Sequence, residues 1–262
     1  MTPIPAFRHR SHPSAVAVVA WGLMALWALA WLAGPTLLSM AGLALNPHGH
    51  ADLYAHGHPF VDARSWWGVP NTLDVLSNLP LVLAGAAGFW TLRGRMLTQS
   101  AANALRVFFA GLILSGLGSA SYHWAPDAGS LVIDHLGMSV AFAGLLALSV
   151  AERVGMRESR GFLPVVLVLA LVSAALPHLQ GNVQPWAVVQ FGGMGLVVWA
   201  AMRPPVAGAV GVPLAGVIGC MCWPNCWSWA TKPCSTPWAN GSRVTASGMW
   251  LRLALRCRYW GV

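Results

Sequence analysis

Apolar runs of about 20 residues recur along this chain, and a helix of that length, rising about 1.5 Å per residue, matches a hydrocarbon layer about 30 Å thick. Such runs occupy residues 15–38, 72–92, 102–123, 130–151, 161–177, 186–202 and 206–219. They predict an all-α fold, a polytopic transmembrane helical bundle of about seven spans. Of the 262 residues, 56% are hydrophobic and 8% are charged, against a usual charged share of about a quarter. A soluble protein with one or two cores is excluded by that balance.

The loops predict the orientation. Arg8 and Arg10, then Arg93 and Arg95, then Arg153, Arg157 and Arg160, then Arg203 all fall on one side of the proposed spans. Basic loops mark the cytoplasmic side. The formal charge of +8 is therefore a property of these loops rather than a nucleic-acid footprint. The opposite loops hold Asp52, Asp62, Arg64 and Asp127. The first apolar run is longer than the core of a signal peptide and has no clear small-residue cleavage site, so it is expected to remain as a span behind a cytoplasmic tail of residues 1–14. Residues 15–219 then form the membrane domain and 220–262 a separate tail.

Within this oily chain, residues 116–138 place a hydroxyl, an imidazole and a carboxylate in reach of one another. Ser119 and His123 are four apart and share a helical face. Pro126, Asp127 and Gly129 are expected to turn the chain back, bringing Asp134 beside His123. Ionisable groups in a span are costly and tend to be functional. The plain alternative is that Ser119 bonds a carbonyl one turn back and His123 is an interfacial histidine. Asp74, with Ser77 and Asn78, either supports this site or belongs to a helix cap led by Asn71. His48, His50, His56 and His58, with Asp52 and Asp62, form a glycine-spaced loop with weak metal-binding character. His9, His12 and His178 join no constellation, and His135 points off the face of Asp134.

Taken together, PNTLDVLSNLP (70–80), GSASYHWAP (118–126), LVIDHLGM (131–138) and LQGNVQPWAVVQF (179–191) resemble the bacterial branch of the alkaline ceramidases. That family lies in a superfamily of seven-span membrane hydrolases that includes GPI-remodelling proteins and adiponectin-type receptors. The resemblance implies a zinc held by three histidines, with His123 as the first ligand, Ser119 as the hydroxyl beside it and Asp134 as the proton acceptor. It also implies cleavage of an amide in a ceramide-like membrane lipid, at the non-cytoplasmic face of a bacterial inner membrane. A catalytic zinc keeps three protein ligands and a water whose pKa falls to about 7. Of the family's calcium-binding acidic cluster, Asp62 is the one remnant.

The sequence departs from the family at its far end, where a Gly-His-x-x-x-His turn supplies two further ligands. No histidine follows His178. Instead all five cysteines, Cys220, Cys222, Cys226, Cys234 and Cys257, fall in the tail, where hydrophobic periodicity is lost and no closed zinc spacing is found. Shifting the tail by one base near Gly219 permits, without forcing, an apolar ending that contains GHSLRH. The expectation is a zinc-dependent amide hydrolase, inactive as it stands because two ligands are out of frame. The alternatives are an esterase acting on lipid-anchored groups, and a non-catalytic receptor or proton-relay transporter using Asp74, Asp134 and His123.

Overall fold

The computed structural model describes residues 15–41 and 64–219. The histidine loop with Asp62, the first 14 residues and the cysteine-rich tail lie outside the described residues. The described chain is all-α: Ala15–Leu32 (α1), Gly34–Met40 (α2), Thr72–Leu76 (α3), Leu79–Leu92 (α4), Gln99–Trp124 (α5), Ala128–Arg153 (α6), Met156–Gln180 (α7) and Gln184–Ala201 (α8). Helical turns resume over residues 214–219.

Four helices are long and apolar enough to cross a bilayer: Thr72–Leu92, which joins α3 to α4, and α5, α6 and α7. The pair α1 and α2, bent by 67°, makes a fifth if taken as one broken span. Integral-membrane character follows from these helices, and the described residues give four to five such spans where about seven were expected. Two physical causes account for the difference. Helix α8 has 18 residues but spends Gln184, Pro185, Gln190 and three glycines on a short span. The run from Val206 is not a helix until residue 214, being a loop with Gly208 and Gly211 at positive φ.

Helix α6 is the central element, with half of its most apolar window buried against 28% for α5 and α7. It lies against α5 through small residues spaced by seven. Gly111 meets Ala141, Gly118 meets the backbone of Ile133 and Asp134, Gly137 meets Leu114 and Ser115, and Gly144 meets Phe108 and Ala104. A Cβ at any of these glycines would run into the facing helix's backbone. Small residues let antiparallel backbones touch, which drives packing where lipid removes the hydrophobic incentive. Gly85 and Gly88 of α4 meet Phe109 and Ile113 of α5 in the same way.

At the end where the arginines lie, polar side chains tie the turns together. Ser100 Oγ donates to the carbonyl of Met156 at 2.6 Å, and Ser159 Oγ to that of Ala147 at 2.7 Å. Glu152 is fully buried, and its carboxylate accepts from the amides of Val210, Gly211 and Val212 at 2.6, 2.9 and 3.0 Å. Arg153 donates to the carbonyls of Arg203 and Val212. A buried carboxylate is costly unless it is hydrogen-bonded. The loop after α8 is therefore folded over the end of α6 to satisfy Glu152, and it cannot also run on as a helix.

At the opposite end the chain breaks after Leu32. Pro35 has no N–H to offer the carbonyl of Trp31 one turn back, and irregular backbone at membrane depth needs a protein partner. Asn182, in the turn between α7 and α8, supplies it: its Nδ2 donates to the carbonyls of Ala30 and Trp31 at 3.1 and 3.2 Å. Trp27 donates to Ser173 Oγ at 2.7 Å and Trp31 to Gln180 Oε1 at 3.0 Å, pinning α1 along α7.

Candidate functional site

The turn between α5 and α6 forms as its sequence requires. Ala125 and Pro126 end α5, and Asp127 caps α6, accepting from the amide of Ser130 at 2.7 Å while Ser130 Oγ accepts from the amide of Asp127 at 3.0 Å. This is a reciprocal capping box, and it opens α6 with its first turn beside the last turn of α5. These backbone bonds, above all the one from Ser130, hold the Asp127 carboxyl below its ordinary value.

Crossing geometry then brings the backbone of α5 at Gly118 against that of Ile133 and Asp134 on α6. A Cβ placed on Gly118 would lie 2.8 Å from the carbonyl oxygen of Ile133 and 3.1 Å from the Cα of Asp134. Only glycine allows this approach, so the residues that follow Gly118 on α5 meet the first turns of α6 at close range. Ser119, His123 and Asp134 are each half-buried at this end of the bundle. Ser121 makes the bond to a carbonyl one turn back, at 2.8 Å to Leu117.

Tyr122, which sequence reasoning did not single out, lies in the same last turns of α5. It is 2% exposed, and its ring meets that of His123 edge-on at 5.5 Å. The signal was present in the quoted run, since a phenol flanking a histidine at the end of a span needs a partner for its hydroxyl.

Asn71 does not form the helix cap that was one of the two readings of this run. It stands in the left-handed region at φ 46° with no capping bond to α3. Its Nδ2 instead donates to the carbonyl of His123 at 2.8 Å. The carbonyl of Asp74 accepts from Ser77 Oγ at 2.7 Å and Asn78 Nδ2 at 2.9 Å. The 70–80 run is thus joined to the α5–α6 crossing through Asn71, and Asp74, itself half-buried, lies one helical turn further on.

His135 and His178 are brought together, which sequence spacing did not reveal. Both line a small recess of about 30 Å³ with Trp186 and Pro177. His135 Nδ1 lies 2.9 Å from the carbonyl of Leu131, and its ring meets Trp186 edge-on at 5.6 Å. A larger cavity of about 300 Å³ lies elsewhere, among α1, α6, α7 and α8. Its α6 residues, Leu146 and Val150, are about 18 to 24 Å along the helix from Asp134 at about 1.5 Å per residue. Glu158 is the one charged residue among its apolar lining.

Among the described residues there is no group of three His, Cys, Asp or Glu side chains able to hold a metal ion. A catalytic zinc takes three protein donors. The described residues around His123 therefore do not make up a zinc centre by themselves. What they offer is a hydroxyl, a phenol, an imidazole and a carboxylate converging at one end of a bundle, a set suited to proton transfer and to donating hydrogen bonds.

The fold, with its apolar helices and arginine-bearing turns, defines an all-α polytopic membrane protein. No family model, no curated protein and no solved structure matches the chain.

Proposed function

We propose that this protein is a membrane hydrolase of the ceramidase-like type, cleaving an amide bond in a ceramide-like lipid that enters from the bilayer. The observation that supports the reading best is the Gly118 contact, which brings α5 against the backbone of Ile133 and Asp134 one residue before Ser119 and about one turn before His123. In this reading Asp134 accepts the proton of the attacking water and passes it to the leaving amine. Ser119 donates a hydrogen bond to the oxyanion that develops on the carbonyl. Tyr122 orients the Asp134 carboxylate, and Asn71 holds the last turn of α5 in register. Zinc belongs to the proposal through His123 alone among the described residues, its other two donors being the histidines that a frame-restored ending permits.

The proposal extends to the topology: α8 crosses the bilayer as a further span, the arginine end faces the cytoplasm and the His123 end faces outward. The decisive experiment compares the given chain with a frame-restored version in lipid nanodiscs, following release of fatty acid and sphingoid base by mass spectrometry. The restored chain is expected to turn over ceramide and to lose that activity with Asp134→Asn, while the given chain is inactive. Failure of both chains on N-acyl and O-acyl lipids alike would refute the hydrolase reading. A second reading, a proton relay or receptor, is favoured by half-buried His123 and Asp134 at one end of an apolar bundle, since aspartate and histidine within membrane spans are the residue types of proton relays. Proton flux into liposomes that is abolished by Asp134→Asn without any lipid turnover would select it.

A further inference from the structure

The chain enters α3 through a tight turn at residues 66–69, closed by backbone bonds in both directions: Trp66 N to Val69 O at 3.2 Å and Val69 N to Trp66 O at 3.0 Å. Both central residues lie at positive φ, Trp67 at 51° and Gly68 at 78°. Glycine takes that conformation freely, whereas a bulky side chain there is strained. The shape is imposed from beneath by buried Thr72, whose Oγ1 accepts from the amide of Trp66 at 2.9 Å and donates to the carbonyl of Val69 at 2.6 Å. The indole of Trp67 plays no part in that bracing. It is 86% exposed and stacks at 4.5 Å on Trp66, itself 59% exposed. A strained residue of this kind points to a role for its side chain rather than for the turn itself.

Position indicates what that is. The turn stands immediately before Thr72, the first residue of a membrane-crossing helix, and Asn71 ties this point to His123. Half-exposed Trp124 closes α5 at the same end. At the other end Trp90 and Trp199 sit under Arg93 and Arg203, with guanidinium carbons 5.0 and 3.9 Å from the ring centroids. Tryptophan concentrates at both faces of a bilayer because an apolar ring with one N–H fits the headgroup layer. We propose that the Trp66–Trp67 turn is an interfacial anchor that inserts its stacked indoles among the lipid headgroups and sets the depth at which the Ser119, His123 and Asp134 end meets the lipid. The inference stands independently of whether that end is hydrolytic.

The test uses the full chain labelled with 5-fluorotryptophan in nanodiscs of phosphatidylethanolamine and phosphatidylglycerol. Signals of Trp66 and Trp67 are assigned by Trp66→Phe and Trp67→Phe. Both signals are expected to be lost when a nitroxide is carried on the lipid headgroup and kept when a paramagnetic chelate is added to the water. Loss to the aqueous chelate with survival of the headgroup label would show the turn facing solvent, or a soluble partner, and overturn the anchor. A second variant, Trp67→Gly, is expected to raise Tm by about 2–4 °C as the strain is released and to shift the Trp66 signal from headgroup to water exposure. A lowered Tm would mean that Trp67 serves the fold, and would likewise overturn the proposal.

Discussion

The side-chain amide of Asn71 donates a 2.8 Å hydrogen bond to the backbone carbonyl of His123. The last four carbonyls of a helix lack partners within it, so this bond both closes α5 and fixes the chain ahead of α3 to the candidate site. Asn71→Ala is expected to cost about 1 kcal/mol and to speed amide exchange around residues 121–125. Asn71→Asp, which keeps the size but loses the donor, should behave alike. A wild-type melting temperature in Asn71→Asp would show that the bond does not contribute.

Substitutions at the α5–α6 seam should separate crowded glycines from open ones. Gly111→Val and Gly144→Val place methyl groups against the facing backbone and are expected to destabilise the protein by about 1–3 kcal/mol or prevent its assembly. Gly195 has open space around its Cβ position, and Gly195→Ala should be neutral or stabilising by up to about 1 kcal/mol. Thermal unfolding in detergent provides the comparison; equal losses at Gly144 and Gly195 would contradict the seam.

Glu152→Gln replaces an acceptor of three backbone N–H bonds with a group that has one oxygen and an unwanted donor. Hydrogen bonds to charged groups are the stronger ones, and the expected loss is about 2 kcal/mol. Its signature is local: faster hydrogen exchange at Val210, Gly211 and Val212, with the α5–α6 seam unchanged. Uniformly faster exchange would instead place Glu152 in the global core.

Asp127 predicts a pH dependence at the acid end. Its pKa is lowered from 3.8 by the Ser130 backbone bond first, so the folded state binds the proton less readily than the unfolded state. The cap therefore contributes fully above the unfolded value and is lost as pH falls through the lower folded one. Asp127→Asn keeps a capping oxygen without that titration and should flatten the acid limb of a stability–pH curve. An unchanged limb would assign the acid sensitivity elsewhere.

Much of this architecture was legible from residues alone, and the parts that were not share a cause. Hydropathy located the four long spans because it reports transfer into lipid, and Pro126 with Asp127 announced the α5–α6 turn through local chemistry. Hydropathy missed the bend within residues 15–38 and the loop within 206–219 because it does not weigh where backbone groups find partners. The Gly34-Pro35 pair that breaks the first span was visible, but its satisfaction by Asn182, about 150 positions later, depends on the fold. Glu152 passed unnoticed for the same reason: its ligands are backbone amides, which carry no residue-type signal. The seven-residue spacing of Ala104, Gly111 and Gly118, facing Gly137 and Gly144, was open to inspection. Hydropathy hides it, because glycine in an apolar run looks like a gap in the pattern. For the site, spacing found Ser119, His123 and Asp134, while Tyr122 and the meeting of His135 with His178 emerge from helix crossing.

The pins that hold α1 also bear on how the molecule is made. Trp27 and Ser173 are 146 residues apart, and Ala30 and Asn182 are 152 apart. A ribosome delivers the N-terminus first, so α1 reaches the bilayer long before Ser173, Gln180 and Asn182 have been synthesised. Until they arrive, its broken end has carbonyls at Ala30 and Trp31 with no protein donor. The α5–α6 hairpin, whose seam is local in the chain, can close while α1 waits. Helix α1 is thus inserted well before it can be docked, and its pinning waits on residues made about 150 positions later.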